Sequence, residues 1–409
     1  MKPILNKLKI WFLTFFITLT CQNTGSRLDP VQVIPVFKTQ GEVFIDNFEA
    51  FFETQLRNSG VPGAAVVIVK DTSIVFIKGF GVKEANSNDP IDENTVFRIG
   101  SLSKGFTGIL AGKLVEQGHL NWEDKVVDYI PHFTLADKEQ AQRITIKNIL
   151  SHTTGLGRHS YTNLIEDGMN MEDIIPKFST VKVYGKEGEF YAYQNAAFAM
   201  IEGIVPAKTN KSYPELLKSE IFDPIGMTNA SASYEDLLEN SNKAIPHRWS
   251  RKNTAYYSFP INTKYYNAVS AGGINASIAD MGNWINAMLG NRPDIISTQV
   301  LDSVFHPRVN IYERRQYRRW EGFEEANYSM GWRNIKLADK NLMYHSGYVN
   351  EYISQIAIDR ERKIGICILA NAPNSTIRRA LPEFLKNYEQ LEDTAVNFSS
   401  FDGSIVGKE

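Results

Sequence analysis

A serine followed three residues later by a lysine is the feature of this chain best suited to chemistry. Ser101-Leu102-Ser103-Lys104 stands at the start of an amphipathic stretch. A serine hydroxyl is a weak nucleophile until a base takes its proton, and residues three apart on a helix share one face. Lys104 would lie in the first helical turn, where the macrodipole and burial both disfavour the ammonium form. The spacing therefore indicates a nucleophile with its own general base. The alternative is a helix N-cap followed by an ordinary surface lysine.

Sequence context distinguishes this pair from a second serine and lysine at the same spacing, Ser179 and Lys182. Apolar side chains recur at helical spacing after Ser101, which predicts a helix with one buried face, whereas no helical pattern follows Ser179. Gly100 permits a sharp turn out of the short apolar run at 96–99. Each glycine inside a helix costs about 0.5–1 kcal/mol relative to alanine, so several of them predict close packing against a neighbouring element. They are Gly105, Gly108 and Gly112.

Composition excludes several classes of function. The chain has 409 residues, of which 43% are hydrophobic, so it is long enough to bury one large core or two moderate ones. A net charge of -2 and the lack of a basic run with interleaved aromatic residues argue against nucleic-acid binding. There is no His-Glu-x-x-His run, paired-cysteine motif or phosphate-binding loop, so we expect no metal or other cofactor. The expected partner is a small-molecule or peptide substrate, and the expected state is a monomer.

The first 21 residues are typical of an export signal. Three lysines precede an apolar run at residues 10–19, which suits a signal peptide and is too short for a stable transmembrane helix. Cys21 follows directly and is either removed with the signal or lipidated, although Thr18 and Thr20 are unusual neighbours for a lipidated cysteine. We therefore expect an exported, periplasmic protein, anchored to a bacterial membrane if Cys21 carries lipid. The second cysteine, Cys367, lies in a buried strand pattern, so no disulfide is expected in the mature chain.

Periodicity predicts an α+β fold with an antiparallel β-sheet flanked by helices. Two hairpins are expected, one from residues 66–70 and 74–79 and the other from residues 352–358 and 364–370. An amphipathic helix at 44–56 precedes the first hairpin, and a shorter helix at 377–388 follows the second, with Pro382 weakening its first turns.

The same signals divide the chain into a sheet-rich frame around a helix-rich middle. The signal segment is 1–21, and the sheet domain combines 41–118 with 326–390. A mostly helical domain is expected at 119–325, and a frayed, flexible tail at 391–409.

Several segments resemble the serine hydrolase family that contains class C β-lactamases, D-alanyl-D-alanine carboxypeptidases and related esterases. Residues 97–107 (FRIGSLSKGFT) are similar to its nucleophile motif. Further segments follow in the family's order: 144–156 (ITIKNILSHTTGL), 224–227 (PIGM), 271–273 (AGG) before Asp280-Met281, and 328–332 (YSMGW). The resemblance covers residues 44–388. It implies a β-lactamase/transpeptidase-like sheet with an inserted helical domain, and Ser101 as the nucleophile.

The family's second element is Tyr-x-Asn, and four tyrosines of this chain begin such a match: Tyr161, Tyr193, Tyr265 and Tyr348. Tyr193-Gln194-Asn195 resembles the element best, because it follows a glycine-containing loop and precedes an apolar helix at 196–204. By that likeness Tyr193 is the second proton carrier, a phenol held as phenolate by two nearby cations. Asn195 would hydrogen-bond Lys104 and the substrate amide. Without the resemblance, Tyr193 is an ordinary core aromatic residue.

The third element is His345-Ser346-Gly347, where β-lactamases of this family usually carry lysine and many peptidase- and esterase-like relatives carry histidine. Histidine is mostly neutral at pH 7, so this departure permits uncharged or ester substrates in place of a carboxylate. The resemblance implies substrate contacts by these three residues and by Tyr348, whose N–H joins the oxyanion hole and whose side chain crowds the acyl pocket. A purely structural role is the alternative for His345. A structural role is also expected for His152, which would hold a loop by hydrogen bonds.

Together these residues predict an acyl-enzyme mechanism. Ser101, deprotonated by Lys104 with Tyr193, attacks a carbonyl, the N–H groups of Ser101 and Tyr348 stabilise the oxyanion, and water activated by Tyr193 releases the acid. Three functions stay open at this point: a hydrolase of β-lactams or D-alanyl peptides, an esterase or D-amino-acid amidase on the same fold, and a penicillin-recognising protein that acylates without turnover. The last reading covers a sensor, which is disfavoured because no transmembrane relay or output domain accompanies the module, and an inactive scaffold, which is disfavoured because Ser101, Lys104 and Tyr193 are retained.

Overall fold

An antiparallel β-sheet is the central feature of the computed structural model, which describes residues 38–312, 315–317, 320–338, 340–389 and 391. The strands are β1 (Gly63–Lys70), β2 (Ser73–Gly81), β3 (Val96–Arg98), β4 (His247–Ser250), β5 (Ala255–Ser258), β6 (Asn275–Ser277), β7 (Val309–Asn310), β8 (Phe323–Tyr328), β9 (Arg333–Leu337), β10 (Lys340–Val349), β11 (Tyr352–Asp359) and β12 (Ile364–Ala370). Eight of them form one sheet in the order β2-β1-β12-β11-β10-β9-β8-β7. Two small antiparallel pairs, β3 with β6 and β4 with β5, lie outside it.

Helices account for most of the remaining described structure. The α-helices are α1 (Gln40–Ser59), α2 (Ser103–Glu116), α3 (Lys138–Ala141), α4 (Ile146–Leu150), α5 (Thr162–Glu166), α6 (Met171–Ile174), α7 (Asn195–Ala199), α8 (Ile201–Thr209), α9 (Tyr213–Leu217), α10 (Asp223–Ile225), α11 (Tyr234–Glu239), α12 (Val269–Gly272), α13 (Ile278–Met288), α14 (Thr298–Phe305) and α15 (Ser375–Glu389). Short 3-10 turns lie at Gly100–Leu102, Val126–Asp128, Ile175–Thr180 and Arg315–Tyr317, and one π-helical turn lies at Lys218–Phe222. None of the helices in these ranges is long and apolar enough to cross a bilayer.

The central strands are buried on both faces, which places the sheet between two apolar layers. In β1, Ala65, Val67 and Val69 belong to one core cluster, whereas the alternating residues Val66 and Ile68 belong to the other, as expected from the two-residue period of a strand. The first cluster includes α2 and α13, and the second includes α1 and α15. The α+β prediction with a large antiparallel sheet is therefore confirmed, with helices on both sides of the sheet.

Both predicted hairpins and both flanking helices are present; β12 has the predicted bounds, and the other elements extend further than expected. β1 pairs with β2, and β11 pairs with β12. The prediction that Pro382 weakens the start of the last helix is wrong, because α15 begins at Ser375 and continues through Pro382. Its apolar face, which includes Leu381 and Phe384, is fully buried, and this burial outweighs the one backbone hydrogen bond that proline cannot form.

Helix α2 also differs from its prediction, since it is buried on every side and not on one face. Every residue from Ser103 to Leu114 is buried. A Cβ atom on Gly105 would contact the Trp332 ring at 2.7 Å, one on Gly108 would lie 2.0 Å from the carbonyl oxygen of Met330, and one on Gly112 would lie 2.8 Å from Val304. The close packing predicted from these glycines is confirmed.

The predicted division into domains stays a prediction. The strand β7 lies inside the segment 119–325, and β8 begins inside it, yet both pair into the central sheet. The predicted signal at 1–21 and the tail beyond Leu391 lie outside the described residues.

Candidate active site

Ser101 lies where β3 turns into α2. Gly100 adopts a φ of +53°, which favours glycine, and a Cβ atom there would lie 2.9 Å from the backbone nitrogen of Tyr348 on β10. The hydroxyl of Ser103 accepts from the Ile274 N–H and donates to the Gly100 carbonyl, which fixes the turn from the other side. Ser101 itself is partly exposed, so its hydroxyl stands at the surface of a rigid, buried turn.

Lys104 is fully buried beside Ser101, in the first turn of α2 as predicted. Its Nζ lies 2.6 Å from the Ala271 carbonyl oxygen, 2.7 Å from Asn195 Oδ1 and 3.4 Å from Ser101 Oγ. Desolvation, and secondarily the charge of Arg333, hold the pKa of Lys104 well below its usual value of 10.5. In a neutral amine the two N–H groups would serve the two carbonyl-type acceptors, which leaves the lone pair facing Ser101.

Tyr193 donates its hydroxyl hydrogen to Ser101 Oγ at 2.9 Å, and its ring centroid lies 4.8 Å from Lys104 Nζ. The other three matches to Tyr-x-Asn direct their hydroxyl groups elsewhere: Tyr161 to the Lys177 carbonyl, Tyr265 to Glu166, and Tyr348 to Glu351. Burial raises the pKa of Tyr193 above its usual value, and the positive charge of Arg333 opposes this shift. This direction differs from the phenolate expected for the resting site, because desolvation outweighs the nearby cations. Tyr193 is therefore a neutral phenol and a proton donor at rest.

The loop containing His152 holds Tyr193 in place. The Nδ1 atom of His152 accepts from the Gln194 N–H at 3.2 Å, and its carbonyl accepts from the Ala192 N–H at 2.9 Å. Its ring packs 4.4 Å from the Tyr193 ring, measured between centroids. Burial lowers the pKa of His152 well below 6.5, so the imidazole is neutral. These contacts agree with the structural role predicted for His152.

Strand β10 brings the third predicted element to the same place. His345 is buried, with its ring centroid 6.4 Å from that of Tyr193, and desolvation lowers its pKa well below 6.5. Its Nδ1 lies 3.0 Å from the Ser346 carbonyl oxygen, and its Nε2 lies 3.3 Å from the Tyr328 hydroxyl. Because a carbonyl only accepts, Nδ1 carries the proton of the neutral ring and Nε2 accepts from Tyr328. His345 is therefore a buried neighbour of Tyr193 and is not on the open surface of the site.

The backbone around Gly347 completes the arrangement. A Cβ atom on Gly347 would lie 2.2 Å from the Ile99 carbonyl oxygen and 3.1 Å from the Ser101 nitrogen, so only glycine fits here. The backbone nitrogens of Ser101 and Tyr348 therefore both lie at the Gly100–Gly347 contact. Their role as an oxyanion hole stays a prediction. The side chain of Tyr348 is half exposed and donates to Glu351, which also accepts from Arg248.

The structure thus brings together Ser101, Lys104, Tyr193, Asn195, His345, Gly347 and the Tyr348 backbone, while Ser346 is partly exposed on the same strand. Asn195 makes the predicted bond to Lys104, but its Nδ2 donates to the Tyr265 hydroxyl at 3.0 Å. The catalytic and substrate-binding roles of these residues stay predictions. Ser179, the second serine at this spacing, donates to the Pro176 carbonyl, and Lys182 packs on the Tyr184 ring.

Sequence reasoning missed Arg333, a buried arginine whose guanidinium carbon lies 5.7 Å from the centroid of the Tyr193 ring. It follows directly after the family-like segment at 328–332, and that adjacency was the available signal. Within the described ranges, no group of three or more His, Cys, Asp or Glu side chains is placed to hold a metal ion.

Comparison with known proteins decides the family. The model of the Beta-lactamase family matches residues 48–388, most of the chain. This protein belongs to the Beta-lactamase family. Membership supports a serine-hydrolase or penicillin-binding-protein-like role and confirms the resemblance drawn from the motifs.

Individual relatives are distant. Protein flp of Staphylococcus aureus (strain MRSA252) is 27% identical over 334 residues, or 79% of this chain, and the chain spans 62% of that relative's length. Beta-lactamase-like protein 4 of Dictyostelium discoideum is 24% identical over 95% of this chain and 72% of its own. The solved structure of the octameric penicillin-binding protein homologue from Pyrococcus abyssi superposes with a TM-score of 0.71. It is 24% identical, and the match covers 84% of this chain and 77% of that one, which shows the fold.

Proposed function

We propose that this protein is an exported serine hydrolase that forms an acyl-enzyme on Ser101 and cleaves β-lactam or D-alanyl amide bonds. The observation that carries the proposal is the contact of the Ser101 hydroxyl with two buried proton carriers, Tyr193 at 2.9 Å and Lys104 at 3.4 Å. Membership of the Beta-lactamase family supports the reaction class. The predicted signal at 1–21 supports export.

The mechanism begins with Lys104 as general base. The neutral amine takes the Ser101 proton as Oγ attacks the carbonyl carbon, and the carbonyl electron pair moves onto oxygen beside the N–H groups of Ser101 and Tyr348. When the tetrahedral intermediate collapses, Tyr193 gives its proton to the leaving group and receives one from the Lys104 ammonium. In deacylation a water molecule attacks the acyl carbon, and Tyr193 takes a proton from this water while passing its own to Lys104. The Lys104 ammonium then protonates Ser101 Oγ as the C–O bond to serine breaks and the acid leaves.

The burial of His345 favours a second candidate, an esterase or D-amino-acid amidase on the same fold. A neutral, buried imidazole supplies no cation for a substrate carboxylate, whereas the lysine usual in β-lactamases does. Substrates without a carboxylate at this position are then as acceptable as D-alanyl peptides.

Parallel hydrolysis of three substrates tests the proposal and separates the candidates. The substrates are a chromogenic cephalosporin, a p-nitrophenyl ester and a D-Ala-D-Ala peptide, each assayed with the wild type and Ser101→Ala. Turnover of the cephalosporin or the peptide, abolished in Ser101→Ala, supports the first candidate. Turnover of the ester alone supports the second. A stable adduct without turnover indicates a penicillin-recognising protein, and turnover that survives in Ser101→Ala excludes the whole proposal.

A further inference from the structure

Arg333 is a buried cation beside the proton carriers of the site. It begins β9, and only 8% of its surface is exposed. Its Nε and Nη1 atoms are buried without a hydrogen-bond partner, and no carboxylate in the described part of the chain pairs with it. Burying an ammonium or guanidinium group without a partner is expensive, so such a residue is rare unless the charge has a use.

The surroundings of Arg333 consist of aromatic rings and the proton carriers of the site. Its guanidinium carbon lies 5.7 Å from the centroid of the Tyr193 ring and 6.0 Å from that of Tyr328. The titratable and charged groups around Arg333 and Tyr193 are Lys104, His152, Arg158, His159, Tyr191, Tyr265, Tyr317, Tyr328, Tyr344 and His345. None of these is a carboxylate.

Arg333 is the buried group of this cluster that keeps its charge, since Arg158, the other guanidinium, is exposed. A guanidinium does not lose its proton in a protein, whereas Lys104, His152 and His345 are desolvated bases whose pKa values burial and the Arg333 charge both lower. His345 occupies the position at which β-lactamases of this family usually carry a lysine, and it is neutral. Arg333, from the neighbouring strand, is thus the buried fixed cation beside Tyr193.

We propose that Arg333 is a positioning residue for the proton transfers, keeping Lys104 in its basic form and stabilising the phenolate that Tyr193 becomes when it protonates the leaving group. The inference rests on the proposed acyl-enzyme function. The proton that leaves Tyr193 is replaced by the one that Lys104 took from Ser101, so the charge of Tyr193 is transient and the proton balance closes over the cycle.

The test is the pH dependence of kcat/KM on an uncharged p-nitrophenyl ester, which has no carboxylate for an arginine to bind. The acid limb of this profile, the pH range over which kcat/KM rises with pH, reports the deprotonation of Lys104. In Arg333→Met we expect this limb to move to higher pH by about one unit, because removing a positive charge raises the pKa of the amine. The rate at pH 7 falls about tenfold or more. Arg333→Lys restores the position of the limb. Arg308→Met is the matched control, since Arg308 also has a buried, unpartnered Nε but donates to the Ser303 carbonyl outside the site.

An acid limb at the wild-type pH in folded Arg333→Met overturns the proposal, as does an equal loss in Arg333→Met and Arg333→Lys, which indicates packing alone. If the methionine variant does not fold, Arg333→Gln replaces it, because glutamine keeps polar groups without the charge. The same shift of the acid limb is expected in that variant. The proposed function fails separately: the wild type then leaves the ester uncleaved, or Ser101→Ala cleaves it.

Discussion

At the scale of single residues, the site is defined by two buried groups that share one serine hydroxyl. Lys104 reaches Ser101 from its own helix, and Tyr193 reaches it from a loop 92 positions along the chain. Desolvation gives the two groups opposite tasks: it lowers the pKa of the amine towards a usable base, and it raises the pKa of the phenol so that it stays a donor. We therefore assign removal of the Ser101 proton to Lys104 and protonation of the leaving group to Tyr193.

Replacing Lys104 by methionine is expected to lower kcat by about 10²- to 10⁴-fold, the usual contribution of a general base. In the wild type the rate rises with pH as the Lys104 ammonium loses its proton, and this acid limb lies well below pH 10.5 because the pKa of Lys104 is lowered. Rates on the ester from pH 5 to pH 9 measure both effects. Lys182→Met is the control, because Lys182 has the same spacing from a serine but packs on Tyr184. An equal loss in both variants would contradict the assignment.

At the scale of elements, the position of Ser101 depends on close backbone contacts at glycines. Helix α2 packs so tightly on the segment around Met330 that there is no room for a methyl group at Gly108, and β10 contacts the Ser101 turn through Gly100 and Gly347. The catalytic turn is therefore held by close backbone packing, which a sequence pattern only indicates indirectly.

Gly108→Ala is expected to reduce the free energy of unfolding by about 1–3 kcal/mol, because the new Cβ atom would lie 2.0 Å from the Met330 carbonyl oxygen. Gly203→Ala is the matched control in α8, where the nearest atom is the flexible end of Ile130 at 3.3 Å. There we expect unchanged stability or a gain of up to about 1 kcal/mol. Urea unfolding of both variants checks the prediction. Equal changes in the free energy of unfolding would show that the close contact at Gly108 does not affect stability.

Much of the arrangement was predictable from the sequence, and the exceptions have physical causes. The hairpins, the outer helices and the Ser101–Lys104 pair follow from local periodicity and spacing, and the glycines of α2 indicated its tight packing. The burial of His345, the neutral phenol of Tyr193 and the placement of Arg333 depend on which strands become neighbours. That information is not local, because β10 reaches the Ser101 turn, and β9 comes to lie beside β10, only through the sheet order.

At the scale of the whole molecule, burial of ionisable groups makes stability depend on pH in two opposite ways. His152 and His345 are buried as neutral rings with lowered pKa values. Their contribution to the free energy of unfolding is therefore complete above about pH 6.5 and is lost as the pH falls. Glu202 accepts from the N–H and hydroxyl of Ser270, next to the Ala271 carbonyl that binds Lys104, and burial raises its pKa to about 6. The contribution of protonated Glu202 to the free energy of unfolding is present below pH 4.5 and is lost as the pH rises through 6.

Glu202→Gln is expected to gain stability relative to the wild type as the pH rises from 4.5 to 7.5, by on the order of 1 kcal/mol. The glutamine keeps an acceptor oxygen for Ser270 but has no charge to desolvate, and the partial exposure of Glu202 limits the size of the effect. Urea unfolding at the two pH values measures the difference. Parallel pH dependence in the two proteins would show that Glu202 does not titrate in this range.

The central claim is that Ser101 forms an acyl-enzyme, and intact-mass spectrometry tests it most directly. The wild type, Ser101→Ala and Tyr193→Phe are each mixed with the p-nitrophenyl ester and with the cephalosporin, quenched in acid and mapped by peptide digestion. We predict one acyl group per wild-type chain on the peptide that contains Ser101, slower formation in Tyr193→Phe, and none in Ser101→Ala. Turnover by the wild type without any adduct on that peptide, or an adduct that persists in Ser101→Ala, would contradict the account.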